Sequence, residues 1–461
     1  MNFWYILLAL FIFGALIFIH ELGHFIVARL CGVKVLEFAI GMGPKILSWK
    51  SKKSGTVYSI RLLPIGGFVS MLGENGMEVV QGGQPKAEEE NAEAVSEDSF
   101  FVTSDEESEK AEDVIQLTEE EAKHAYCNQS VWKRILISLA GPAMNVILGF
   151  VLMFVMVVAS GHDSLATNQV GGFYVEYTAE DSENGFQKGD NLYSINGERV
   201  YSYQHLEDKV KEGLADGLEI VVLRWNQDGT DVEYVTLNVS LTEDDLNSFT
   251  ASLSENSGLR INDTILKVNS VSVHTYNELA YEIMNQGYQP LTLTVLRDGE
   301  KKVLTDVIVP SEESEGVVLG NVDFIPYREL SFDFPTILKH TWFRSVSTVK
   351  MVFDSLGGLF SGRYGVEAVS GPVGITKTIS DAAQMGMLNV LYLVTVISIN
   401  LGVMNLLPFP ALDGGHLLIY IIEAIRRKPM KKELEGVINF IGLIILLSLA
   451  VIIMIKDIIA L

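Results

Sequence analysis

Two histidines four residues apart flank a glutamate in the pentad His20-Glu21-Leu22-Gly23-His24. Residues i and i+4 of an α-helix share a face, so both imidazoles can reach one metal ion. Zinc suits these donors, and it lowers the pKa of a water it binds towards neutrality. Glu21 stands beside that position and is the candidate general base for attack of the water on an amide carbonyl. His-Glu-x-x-His also arises by chance, and helical histidines commonly do no more than hydrogen-bond. The setting weighs against chance here, because the pentad interrupts an apolar run from Phe3 to Leu30. An ionisable residue at the centre of a spanning helix costs about 2.5 to 3.5 kcal/mol on insertion scales, so one that is kept there needs a partner.

A catalytic zinc takes three protein ligands and leaves one position for water. The stretch Asn405-Leu406-Leu407-Pro408-Phe409-Pro410-Ala411-Leu412-Asp413-Gly414-Gly415-His416 places one acid in a hydrophobic surround. Its prolines stop a helix and its glycine pair lets the backbone turn. Asp413 is therefore the candidate third ligand, with a helix cap as the alternative. His416 is left out of the ligand set, since three ligands suffice.

The chain that must position these groups has 461 residues, 48% of them hydrophobic, which points to an integral membrane protein of several domains. Four segments meet or approach the roughly 20 apolar residues of a spanning helix: Phe3 to Leu30, Ile135 to Ala159, Leu388 to about Leu407, and Val437 to Ile455. The third carries Asn400 and Asn405 and is expected to face the bundle interior. The start, Met-Asn-Phe-Trp-Tyr, has neither a basic n-region nor a cleavage site before the pentad, so the first helix is expected to stay. Basic residues between helices one and two (Arg29, Lys34, Lys45, Arg61, Lys133 and Arg134 among them) and between helices three and four (Arg426, Arg427, Lys428, Lys431 and Lys432) assign both loops to the cytoplasm. Both termini and the stretch from Gly161 to about Thr336 are then outside, and the metal site lies nearer the cytoplasmic face.

The formal net charge of −24 is unevenly spread, with 16 acidic and 3 basic residues between Glu78 and Tyr126. Residues 76–128 read as an acidic cytoplasmic insertion, disordered or partly helical, with an interaction tail as the less favoured reading. So acidic a chain is not expected to bind nucleic acid. The two cysteines, Cys31 and Cys127, both fall on the expected cytoplasmic side, which argues against a structural disulfide.

After the first helix, residues 35–75 alternate glycine and proline punctuation with short apolar runs, the pattern of β-hairpins. Beside the metal helix they can offer an open edge to an extended peptide, or form a plain surface hairpin. Further on, Gly185-Phe186-Gln187-Lys188-Gly189-Asp190-Asn191-Leu192-Tyr193-Ser194-Ile195-Asn196-Gly197 aligns with Gly258-Leu259-Arg260-Ile261-Asn262-Asp263-Thr264-Ile265-Leu266-Lys267-Val268-Asn269-Ser270. This internal repeat predicts two similar small domains in tandem. The pattern resembles PDZ domains, a family of small β-rich barrels with two helices that capture peptide termini or strands. Asn262 and Ser270 replace two of its glycines in the second copy, where glycine's ready access to positive φ is lost. Next, Trp342, Val346, Val349, Phe353, Leu356 and Phe360 recur at spacings of three and four, an amphipathic helix suited to the outer membrane interface or to packing on the second repeat.

Taken together, the pentad, Gly141-Pro142-Ala143-Met144-Asn145 and the Asn405 to Gly415 stretch resemble the site-2 protease family of zinc intramembrane metalloproteases. The tandem PDZ-like repeats point to its bacterial regulator-of-sigma-E-protease branch, and the resemblance covers nearly the whole chain except the acidic insertion. It implies zinc held by His20, His24 and Asp413, Glu21 as base, and a hairpin that holds substrate as an added strand. It links Asn405, with Pro408 and Pro410 nearby, to substrate binding. Asn145 matches another motif asparagine, for which a helix-packing amide bond is at least as good an account. The fold expected is a multi-pass α-helical membrane protein of about four transmembrane helices, a membrane-associated β-hairpin region and two PDZ-like extracytoplasmic domains. The expected spans are 1–34 for helix one, 35–75 for the hairpin region, 76–128 for the insertion and 129–160 for helix two. Residues 161–245 and 246–312 hold the two repeats, 330–375 the amphipathic helix and linker, 386–425 the helix-three region and 433–458 helix four.

The activity expected is that of a zinc-dependent intramembrane endopeptidase in the plasma membrane of a bacterium. Its substrates would be single-pass membrane proteins, such as anti-sigma factors or signal-peptide remnants, already trimmed by another protease. The alternatives are a catalytically silent scaffold built on the PDZ-like pair, against which the complete ligand set argues, and a metal or ion transporter, which leaves both the base-like Glu21 and the outer domains without a purpose.

Overall fold

The structure, a computed structural model, describes residues 3–74, 80–81, 116–180, 184–212, 217–225, 232–242, 244–314, 317–363, 365 and 369–459. Most of the acidic insertion, on which the expectation of disorder falls, lies outside the described residues. From the N-terminus, α1 (Phe3–Leu30) leads to β1 (Val35–Lys50), β2 (Val57–Met71), β3 (Val80–Gln81), β4 (Gln116–Leu117), α2 (Glu119–Lys123) and α3 (Val131–Ser160). Then come β5 (Ala166–Phe173), β6 (Val175–Tyr177), β7 (Asn191–Ile195), β8 (Glu198–Arg199), α4 (Tyr203–Glu212), β9 (Leu218–Trp225), β10 (Val232–Val239), β11 (Phe249–Ala251) and α5 (Leu253–Asn256). β12 (Thr264–Val268), β13 (Val271–Ser272), α6 (Tyr276–Gln286), β14 (Leu291–Arg297), β15 (Glu300–Val307), β16 (Ser311–Ser314), β17 (Val317–Gly320) and β18 (Phe324–Arg328) follow. The chain closes with α7 (Phe334–Phe360), α8 (Pro372–Met385), α9 (Met387–Asn405), α10 (Asp413–Arg426) and α11 (Lys432–Ile459). It divides into two compact units, one of residues 1–149 and 370–461 and the other of residues 150–369.

Among the described residues, four helices are long and apolar enough to cross a bilayer: Phe3–Leu30, Val131–Ser164, Met387–Asn405 and Glu433–Ile459. In the first unit, α1 and α3 meet at backbone contact, since a Cβ on Gly23 would stand 2.4 Å from the Ala140 carbonyl oxygen. Ala9, Ile12 and Leu16 of α1 bury against Ile379 of α8 and Val390 of α9. α11 is tied to α8 by a carboxylate, for Asp457 Oδ2 accepts from the backbone N–H groups of Gly371 and Gly374, each at 2.8 Å. Those are orphan donors at a helix N-terminus, where a negative charge is also favoured by the helix dipole.

β1 and β2 form more than a simple hairpin. Phe38 lies opposite both Val69 and Tyr58, while Tyr58 also lies opposite Trp49, so each long element contributes two segments to one small sheet. Its order runs from residues 47–50 through 57–60 and 37–40 to 67–71. Among the described residues, the 67–71 edge has a ladder partner on one side only.

The second unit holds the repeats. The first sheet has the order β10-β9-β7-β6-β11 and the second β15-β14-β12-β5-β18, with β8 and β13 attached to β7 and β12 respectively. Consecutive spans of 161–245 and 246–312 do not describe this pairing. β5 joins the second sheet although it precedes the first repeat, β18 joins it from beyond residue 312, and β11 pairs with β6 of the first sheet. The second core accordingly includes Val170, Phe173 and Phe324. Each repeat is fastened by the same buried clasp. Arg224 donates from Nε and Nη2 to Asp190 at 2.8 and 2.6 Å, and Arg297 donates likewise to Asp263 at 2.7 and 2.7 Å. The glycine replacements in the second copy are tolerated differently at the two turns. Asn262 keeps the positive φ (70°) that Gly189 has (90°), as asparagine does more readily than other side chains, whereas Ser270 does not share the positive φ of Gly197.

α7 packs with its polar face inwards. His340, Thr341, Ser345 and Thr348 are buried, while Trp342, Phe353 and Phe360 of the apolar stripe are exposed. Lys350 on that helix bonds Glu282 of α6 at 2.6 Å, and Phe343 stacks on His274.

Removing one partner of a buried bidentate pair leaves a charge without compensation, at a cost of about 3 to 5 kcal/mol. Asp263→Ala is therefore expected to lower the unfolding midpoint of the purified protein sharply. An exposed substitution such as Glu300→Ala should leave it unchanged, and equal midpoints for the two would contradict the clasp.

Candidate active site and metal centre

His20 and His24 come from the buried face of α1, held where α1 crosses α3. The His24 ring lies flat enough on α3 that a Cβ on Gly141 would fall 2.2 Å from its Nε2. Its Nδ1 donates to the carbonyl oxygen of Ile137 at 2.7 Å, which leaves Nε2 as the lone-pair nitrogen. His20 Nδ1 lies 3.3 Å from the carboxamide of Asn145, also on α3.

Asp413 arrives from the other end of the sequence. After α9 ends, Phe409 N–H bonds the Leu407 carbonyl and Leu412 N–H bonds the Phe409 carbonyl, so the two-proline loop folds tightly. Asn439 of α11 accepts from the Ala411 N–H at 3.3 Å, and Ala411 itself sits at a φ of 68°. The loop then crosses the start of α10 so closely that a Cβ on Gly414 would lie 2.1 Å from the Leu407 carbonyl oxygen. Asp413 is the first residue of α10, and its carboxylate is turned to α1.

The three groups meet. Asp413 Oδ2 stands 3.0 Å from His20 Nε2 and 3.4 Å from His24 Nε2, and the two Nε2 atoms are 3.3 Å apart. Atoms bonded at about 2.0 to 2.1 Å to one tetrahedral zinc are separated by roughly 3.3 to 3.4 Å. The donor set thus fits one divalent ion in spacing and in chemistry, two imidazole nitrogens and a carboxylate oxygen. Among the described residues this is the one His, Cys, Asp and Glu group close enough to hold a metal.

The ligand atoms open on a cavity of about 560 Å³, whose wall also includes Glu21, Glu74, His416, Glu435 and Tyr420. His416 Nδ1 donates to Glu435 at 3.3 Å, and that carboxylate raises the imidazole above its ordinary range. Across the cavity Arg134 donates to Glu423 at 2.7 Å and lies over the Tyr420 ring, while Tyr126 donates to Tyr420 at 3.0 Å. Asn405, Pro408 and Pro410 do not line this cavity. Asn405 ends α9, and Pro410 packs where a Cβ on Gly442 would meet it at 2.5 Å.

Several contacts around the cavity have no distinct signal in the sequence. Arg134 reads there as one more basic loop residue, yet it is paired and lines the cavity. Ile137 acts through its backbone carbonyl, which any residue would supply. Gly141 and Asn145 did stand out as a motif, without an indication of what they touch.

A helical bundle that encloses a two-histidine, one-carboxylate site with a glutamate beside it defines a metallopeptidase-like membrane protein. The family model of peptidase family M50 matches residues 8–449, and the chain belongs to that family. It is 29% identical to the regulator of sigma-W protease RasP of Bacillus subtilis, over 97% of this chain and 96% of that protein. It is 30% identical to the zinc metalloprotease RasP of Bacillus licheniformis, over 97% of each.

Gly141→Ala would drive a methyl group into the His24 ring. Bound zinc, measured by elemental analysis of purified protein, should fall by more than tenfold while the helical circular dichroism is retained; full zinc content would contradict the placement.

Proposed function

We propose that this chain is a zinc-dependent intramembrane endopeptidase of the site-2 protease type. The observation that carries the reading is the mutual spacing of His20, His24 and Asp413, between 3.0 and 3.4 Å, with Glu21 on the wall of the same cavity. His20, His24 and Asp413 hold zinc. The ion, when bound, polarises the scissile carbonyl and acidifies a water. Glu21 is placed on the cavity wall to take a proton from the attacking water and to pass it to the leaving amine. Glu21 is half-buried on the wall of that cavity, beside the two histidines.

Substrate enters as a strand. A helical amide has its carbonyl hydrogen-bonded, so the transmembrane segment must unwind before attack. The 67–71 edge is supported as the acceptor of that strand by its single ladder partner and its nearness to the base: a Cβ on Gly67 would lie 3.1 Å from Glu21 Cγ. Asn405, Pro408 and Pro410 assist binding through the loop that sets Asp413 rather than through the cavity wall.

The chain lies in the plasma membrane of a bacterium with the active site towards the cytoplasm, on the strength of the basic loops. The two repeats are PDZ-like domains outside, and the exposed apolar stripe of α7 rests on the outer interface. There they admit substrates, anti-sigma factors among them, whose outer part another protease has removed. The name of the Bacillus subtilis relative is in keeping with such a substrate class.

Glu21→Gln should bind zinc as wild type does and cleave a single-pass membrane peptide in liposomes about 10²- to 10⁴-fold more slowly; cleavage at the wild-type rate contradicts the role of Glu21. Deleting residues 166–328 while keeping the helices should let untrimmed substrate be cut. Selectivity identical to that of the intact chain would dispose of the filter.

A further inference from the structure

The two histidines are not held alike. His24 is fixed with its proton on Nδ1 by the Ile137 carbonyl, which can only accept. His20 has a carboxamide in that place, and a carboxamide can present either an acceptor or a donor. As it stands, Asn145 Nδ2 faces His20 Nδ1 at 3.3 Å, while Asn145 Oδ1 is buried with no partner and the residue as a whole is fully buried. With Nδ2 donating to Nδ1, the His20 proton sits on Nε2 and donates to Asp413 at 3.0 Å. To ligate through Nε2, His20 must carry its proton on Nδ1 instead.

We propose that Asn145 is a positioning residue that turns its carboxamide when metal binds, so that Oδ1 accepts the Nδ1–H of His20 and leaves Nε2 free for the ion. The turn gives the unpartnered oxygen a donor. It also requires little motion, because the Asn145 backbone stays fixed: its carbonyl accepts from Ser398 Oγ at 2.8 Å whichever way the amide points. Asn145 thereby does for His20 what the Ile137 carbonyl does permanently for His24. The inference rests on the metal reading of His20, His24 and Asp413. It replaces the helix-packing account of Asn145 with one that makes a different prediction for a carboxylate.

The test uses the detergent-purified full chain, stripped of metal and titrated with zinc against a chelator, with cobalt(II) absorption as a second readout. Wild type is measured first, and failure to bind one zinc would overturn the metal reading itself rather than this proposal. Asn145→Leu and Asn145→Ala, which offer no acceptor, should weaken zinc about 10- to 100-fold and alter the cobalt spectrum. Asn145→Asp, which can only accept, should bind zinc at least as tightly as wild type. Unfolding midpoints of the metal-free proteins report packing separately. Zinc affinity unchanged in the alanine variant, or lost as fully in the aspartate variant as in the leucine one, overturns the proposal.

Discussion

Two imidazole nitrogens and a carboxylate oxygen packed within 3.4 Å of one another, in a bundle of apolar helices, set the terms for the rest of this structure. Each is a hydrogen-bond acceptor in its metal-binding form, so without a cation or a proton between them they repel. In a surround of low dielectric that repulsion is poorly screened. A divalent ion between them would remove it. The surrounding elements can be understood as what is needed to bring three such groups to one point and keep a fourth, Glu21, beside them.

Small residues make the approach possible. Gly23 lets α1 touch the α3 backbone, Gly141 leaves room for the His24 ring, and Gly414 lets the proline loop cross the start of α10. Hydrogen bonds from α3 then orient the rings, and Asn439 of α11 steadies the loop ahead of Asp413. Four separate helices and one loop thus act on a site made of three side chains. Glu21 lines the polar cavity beside them, where paired groups such as Arg134 with Glu423 keep charge compensated inside the bundle.

The sequence disclosed the parts of this arrangement that depend on side-chain type and short spacing. The i, i+4 histidines, the acid among prolines, the apolar spans and the repeated Gly-Asp pattern all have local signatures. What depends on distant chain segments had none. β5 precedes the first repeat and β18 follows the second, yet both complete the second sheet, because strand pairing is settled by three-dimensional neighbours and not by order along the chain. The two-segment use of β1 and β2 was likewise hidden, since the glycines that bend them read simply as hairpin turns. α8 and α10 lack the apolar run that marks a spanning helix. For α7 the amphipathic period was plain, but its polar face is the buried one, fixed by Lys350 and Glu282, which periodicity alone does not decide.

X-ray absorption at the zinc edge, on the purified full chain loaded with one equivalent of metal, tests the central claim most directly. The expected result is a four-coordinate shell of nitrogen and oxygen at about 2.0 to 2.1 Å, with the outer-shell scattering of two imidazoles that falls to one in His24→Ala. A shell with sulfur, a six-coordinate shell, or a pattern unchanged by that substitution would contradict it.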